Sequence, residues 1–290
     1  MNNEFYLKKF KKILWDGFFD CLKRNNAFLA GGAILSIVTK KEINDLDIYF
    51  KSLEDAKNFY EDIQEESYYC INETNRSLIL VDKNKHNKRP NINMIIFDWF
   101  QTPEEIFNLF DFSICQSAFD GDKFYFSDRY FIDVASRSLQ YNPNTRYPIS
   151  SLLRLKKYQE KGYKISRNQF LKMCLNIQKK KIETYEELES EIGGVYGIDL
   201  DVIMPELKEN FSIEKFIDGL DEIDFEFDNK YITSKVKNIG YPQIFKQEYP
   251  VLEIRDKFIS TLDFKECKET NNKVQYPIFV YKWVRFNIFL

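Results

Sequence analysis

A chain of 290 residues is long enough to bury two separate cores, and a 44% hydrophobic share with 27 Phe and 18 Tyr excludes a disordered protein. The net charge of −3 is spread evenly along the chain, so a nucleic-acid partner must be held by a local patch rather than by the overall field. No uncharged run reaches the eighteen or so residues that a membrane span needs, and Met-Asn-Asn-Glu has neither the basic nor the apolar region of a signal peptide. The expected location is the cytoplasm.

In chain order, residues 4 to 25 place Phe5, Phe10, Ile13, Leu14, Phe18 and Leu22 on one helical face, which predicts an amphipathic helix. The run Phe28-Leu-Ala30 reads as a strand, Ala33 to Val38 as a short helix, and Leu46, Ile48 and Phe50 as a second strand. Ser52 to Glu65 is a helix with Leu53, Ala56, Phe59 and Ile63 on its inner face and Ser52 as its cap. Strands follow at Ser77–Val81 and Ile92–Phe97, joined by the polar run Asp82–Arg89, a charged hairpin tip holding the single histidine, His86. Pro103 to Phe110 opens a helix after Thr102, and a hairpin turns across Asp120-Gly121-Asp122.

From about Ser150 the periodicity turns helical. Leu152, Leu153, Leu155 and Tyr158 predict one helix, Phe170, Met173, Cys174 and Ile177 another, and a third ends near Ser190, with Gly193-Gly194 as its stop. Tyr141 to Pro148, rich in turn formers, is the boundary candidate. The fold class is therefore α+β: a small mixed sheet flanked by helices over residues 1–140, then a mainly helical region over 141–290. Asp221 to Asp228 alternates acidic and apolar residues as a strand with one wet face would, and Tyr276 to Leu290 is apolar enough to be buried or to meet a partner. The five cysteines are odd in number and never spaced Cys-x-x-Cys, so neither a disulfide-linked partner nor a zinc site is expected, and they read as reduced core residues.

Chemistry concentrates in Phe28 to Phe50. Gly31 and Gly32 leave the backbone free to approach a phosphate, and the following helix N-terminus points amides at it. Asp45 and Asp47 project from one strand face. Side by side they repel, which makes physical sense with Mg²⁺ between them.

With these residues in view, the N-terminal part resembles the polymerase-β-like nucleotidyltransferase superfamily, most of all the head domain of class II CCA-adding enzymes and bacterial poly(A) polymerases. Leu29-Ala-Gly-Gly-Ala to Asn44-Asp-Leu-Asp-Ile48 is similar to that family's Gly-Gly-Ala to Asp-Ile-Asp signature. Leu109 to Asp120 resembles its Arg-Arg-Asp-Phe-Thr-Ile segment, placing Asp111, Phe112 and Ile114 on matching positions. Asp133 to Leu139 and Leu152 to Tyr158 resemble the neck that follows, with Arg154 and Lys157 where the family has arginines. The resemblance covers roughly residues 25 to 165.

It implies transfer of a nucleoside monophosphate from an NTP to an acceptor hydroxyl, with two Mg²⁺ held by Asp45 and Asp47 and the nucleotide held by Gly31, Gly32, Asp111, Arg154 and Lys157. It implies an RNA or tRNA 3′ end as acceptor, with a protein or small molecule as the competitor. The departures are specific. Leu109-Phe110 replaces the arginine pair that helps hold the triphosphate, Asn93 falls where the third carboxylate belongs, Ser151 replaces the first neck arginine, and no Glu-Asp-x-x-Arg base-reading template is present. Asp98 or Asp111 is the alternative third metal ligand. A pseudoenzyme that binds nucleotide or RNA is the reading from a different class.

Overall fold

The computed structural model describes Leu7, Lys8, Phe10, Lys11, Leu14, Trp15 and residues 17–83, 89–196, 205–222 and 240–246. The chain divides into two compact units, Met1–Pro242 and Gln243–Leu290; the sheet, the helices and the site belong to the first, and one 3-10 turn, Gln243–Phe245, to the second. His86 with most of its hairpin tip, Ile223 to Asp228, Cys267 and Tyr276 to Leu290 lie outside the described residues.

The helix expected over residues 4–25 is interrupted. Gly17 takes a φ of 90°, and helix α1 starts only after it, at Phe18–Arg24. Apolar spacing is helical on both sides, but a left-handed glycine redirects the backbone where the pattern alone shows no break.

Strand β1 (Ala27–Ala30), helix α2 (Gly32–Val38) and strand β2 (Asp45–Phe50) follow as the sequence predicts. Helix α3 (Leu53–Glu65) is capped by the Ser52 side chain, which accepts from the Asp55 amide. Strands β3 (Tyr68–Glu73), β4 (Ser77–Asp82) and β5 (Asn91–Ile95) come next. β3 has no clean alternation in Tyr-Tyr-Cys-Ile-Asn-Glu; it is a strand because it pairs with β4, across an irregularity between Cys70 and Asn72. Helix α4 (Pro103–Leu109) carries a full capping box between Thr102 and Glu105. Strands β6 (Ser117–Phe119) and β7 (Phe124–Phe126) form the expected hairpin.

The seven strands form one sheet in the order β3-β4-β5-β2-β1-β6-β7; β2 and β5 are parallel and every other pair is antiparallel. Alternation along β2 decides its two faces. Leu46, Ile48 and Phe50 are fully buried, and Phe50 meets Phe59 of α3 at 5.3 Å between ring centroids. Burying one such phenyl ring contributes about 1.5–3 kcal/mol. Asp45, Asp47 and Tyr49 face the other way.

Helix α4 covers that second side, its Ile106 and Phe107 packing in one cluster with Phe28, Ala30, Tyr49 and Ile95. Helix α5 (Tyr130–Ser136), a two-stranded pair of β8 (Ser138–Leu139) and β9 (Lys164–Ile165), and helices α6 (Pro148–Glu160), α7 (Arg167–Ile177) and α8 (Tyr185–Tyr196) follow. A core of Leu35 from α2, Phe112, Ile114, Leu155 and Tyr158 from α6, and Met173 from α7 joins α6 and α7 to α2 and to the segment after α4. α8 continues through Gly193-Gly194 to Tyr196 instead of stopping before them. Its partners come later in the chain: Leu188 and Ile192 pack with Leu207 and Phe216, from helices α9 (Pro205–Glu209) and α10 (Ile213–Glu222). Asp221 and Glu222, expected in a strand, are therefore helical. The fold is α+β.

Cys21, Cys70, Cys115 and Cys174 are free thiols; Cys174 is exposed, contrary to its reading as a core residue, because it sits on the outward face of α7. Among the described residues no helix is long and apolar enough to cross a membrane.

Candidate active site

The two glycines and the two carboxylates meet. Ala30 is paired with Asp47 across β1 and β2, so the turn that follows lies at the level of that side chain. Gly31 adopts φ 77°, ψ −129°, and its amide donates to the Ser117 carbonyl at 3.0 Å. A Cβ placed on Gly31 would lie 3.0 Å from the Phe110 ring and 3.8 Å from Asp47 Oδ2. Glycine is needed there for its backbone conformation and for the close approach of both side chains.

Asp45 is exposed and Asp47 is partly buried. Burial raises the Asp47 pKa to about 7, the charge of Asp45 adds to the rise, and a hydrogen bond from Asn93 with the fields of Lys157 and Arg154 opposes it. Asn93 lies opposite Asp47 in the β2–β5 register and donates from Nδ2 to Asp47 Oδ1 at 3.0 Å, while its own carbonyl oxygen is buried without a partner. Two repelling carboxylates and one orphaned amide oxygen form an all-oxygen donor set of the kind that suits Mg²⁺.

Asp98 does not join them. It lies beyond the end of β5, close to where Phe100 N–H donates to the Phe50 carbonyl at the far end of β2 from Asp45. Its Oδ1 accepts from the Trp99 amide instead. Among the described residues no cluster of three His, Cys, Asp or Glu is placed to hold a metal.

Asp111 and Arg154 engage each other: Arg154 Nε donates to Asp111 Oδ2 at 2.6 Å, with the Asp111 side chain 4% exposed. The pair ties the end of α4 to α6 and brings the guanidinium close enough to act on Asp47.

Lys157 lies one turn further along α6. It lines a cavity of about 240 Å³ together with Gly32, Asp45, Lys41, Arg137 and Lys161. The Lys161 pKa is lowered by burial and by the like charge of Lys157. Gly162, at φ 86°, leaves room for the Arg137 guanidinium; a Cβ there would come within 2.9 Å of it. Sequence reasoning found Lys157 but missed Lys41, Arg137 and Lys161, which are scattered over 120 residues and form no motif. Four cations around one carboxylate make this a place for a polyanion.

A glycine turn into a short helix and a following strand with two carboxylates on one face are consistent with the polymerase-β-like nucleotidyltransferase resemblance read from the sequence. A family model described as "Gad2: Gabija anti-defense 2 family protein" matches residues 2–137. A relative named "Gabija anti-defense 2", from Bacillus phage SPbetaL7, is 36% identical over 239 residues, covering 81% of this chain and 58% of that protein. The chain thus spans less than two thirds of the relative's length. Among solved structures, an apo CCA-adding enzyme is 14% identical with a TM-score of 0.48, over 79% of this chain and 68% of the other. A Thermotoga maritima CCA-adding enzyme complexed with tRNA is 12% identical with a TM-score of 0.46, over 87% and 72%.

Proposed function

We propose that this protein transfers a nucleoside monophosphate from an NTP to an acceptor hydroxyl. The observation that carries the reading is the placement of Asp45 and Asp47 on one strand face, against the Gly31 turn and beside the cavity of Lys41, Arg137, Lys157 and Lys161. In the reaction the acceptor oxygen forms a bond to the α-phosphorus, the bond from that phosphorus to the β-phosphate oxygen breaks, pyrophosphate leaves and the hydroxyl proton passes to water. Asp45 and Asp47, with the Asn93 carbonyl, would hold Mg²⁺. A metal held there would supply Lewis acidity toward the attacking hydroxyl and positive charge toward the leaving pyrophosphate. Lys157, Lys161, Lys41 and Arg137 supply positive charge that the Leu109-Phe110 segment does not, and the Asp111–Arg154 pair holds α6 in place above the carboxylates.

An RNA 3′ end is the acceptor that the CCA-adding resemblance supports. The 36% identity to a protein named Gabija anti-defense 2 favours a second acceptor, a hydroxyl on a protein of an antiviral defence system, and a counter-defence role for the transfer. The test is incubation with each α-³²P-NTP and Mg²⁺ in the presence of total RNA or purified defence proteins. Label should appear on one acceptor class and vanish with Asp45→Ala and Asp47→Ala variants that still fold. Absence of label on every acceptor would overturn the assignment.

A further inference from the structure

A group of stacked planar side chains lies at the N-terminal end of α6. The Arg146 guanidinium lies 4.6 Å from the ring centroid of Phe97 and 5.6 Å from that of Tyr147, and the Arg76 guanidinium lies 5.2 Å from the same Tyr147 ring. Phe97 packs against the cluster that holds Tyr49, Ile95 and Phe100. Tyr49 and Ile95 are the register pair that follows Asp47 and Asn93 on the same face. Tyr147 immediately precedes α6, and Lys157 lies ten residues further on, about 15 Å at 1.5 Å per residue. One helix therefore runs from the planar ladder, over the carboxylates, to the basic cavity, and the distance is about that of an extended nucleoside triphosphate.

Arg146 is exposed, and among the described residues it forms no salt bridge. An exposed guanidinium held by aromatic rings is planar, poorly hydrated and suited to stacking. We infer that Arg146, backed by Phe97 and Tyr147, is a stacking platform for a nucleobase, an assignment that rests on the nucleotide-transfer reading above. Two molecules present that chemistry: the incoming NTP, and the terminal nucleotide of a nucleic-acid acceptor. Stacking holds any base by its π-face, which is how the site would retain a base without the Glu-Asp-x-x-Arg template.

The test is fluorescence binding with the full chain, using 1,N⁶-ethenoadenosine triphosphate as one probe and an RNA oligonucleotide ending in 2-aminopurine as the other. Arg146→Ala should weaken at least one probe roughly fivefold to a hundredfold, and Arg146→Lys should not restore it, because an ammonium keeps the charge but loses the plane. Loss for the triphosphate assigns the platform to the incoming base; loss for the oligonucleotide assigns it to the acceptor. Both dissociation constants staying within twofold of wild type would reduce the ladder to a structural clamp and overturn the inference, as would wild-type protein that binds neither probe. The readout needs no turnover, so a missing transfer activity would sink the proposed reaction without touching this result.

Discussion

Replacing Asp47 by Asn should stabilise the metal-free protein while abolishing its activity. A carboxyl held at about 7 instead of 3.8 has its charged form disfavoured by up to roughly 4 kcal/mol, at 1.36 kcal/mol per pH unit. Asp47 is only partly buried, and solvent screening brings this to about 1–2 kcal/mol. Because the folded-state pKa is raised, the folded protein keeps a proton that the unfolded chain releases. Stability therefore falls as pH rises from about 4 to 7 and is lowest above that. Asparagine preserves the shape and removes the penalty. Thermal melts in EDTA at pH 8 should place Asp47→Asn roughly 2–8 °C above wild type, and the gap should shrink toward pH 5. Saturating Mg²⁺ should reverse the order, since about 2.7 kcal/mol is gained at a hundredfold excess over Kd by the protein that binds it. A variant less stable than wild type at pH 8 without metal would refute the claim that the two carboxylates are a strained pair awaiting a cation.

Gly31→Ala should cost about 2–3 kcal/mol in urea unfolding, since alanine is strained at φ 77° and its Cβ would meet Phe110 at 3.0 Å. Combining it with Phe110→Ala should return the steric part but not the backbone part. Arg154→Ala leaves Asp111 buried without its partner and should destabilise by roughly 3 kcal/mol in the same assay; a loss below about 1 kcal/mol would show that the pair is not structural. Asn93→Asp adds a third carboxylate beside Asp47, so the melting temperature in EDTA should drop and the Mg²⁺ affinity rise; a weaker affinity would remove Asn93 from the metal site. Asp98→Ala should leave nucleotide labelling within twofold of wild type, and a larger loss would return Asp98 to the site.

Much of the head was legible because its signals are local. Alternation in Asp45–Phe50 sorted the carboxylates from Leu46, Ile48 and Phe50, Ser52 and Thr102 announced their helices, and Gly31 marked a backbone that other residues adopt only with strain. The misreadings were failures of context. Gly17 breaks a helix whose apolar spacing continues through it, and Gly193-Gly194 do not break one because Leu188 and Ile192 are held by packing against Leu207 and Phe216. β3 exists only through its partner β4.

What the sequence determined on its own was the pairing of two acids on one strand with a glycine turn before it, because strand periodicity and glycine's backbone freedom act between neighbours in the chain. Tertiary structure alone decided the rest of the site. It set Asn93 rather than Asp98 beside Asp47, joined Asp111 to Arg154, gathered Lys41, Arg137, Lys157 and Lys161 around one cavity, and stacked Arg146 against Phe97 and Tyr147. Each of these depends on which strand lies beside which and where α6 crosses the sheet, distances in space that residue spacing does not encode.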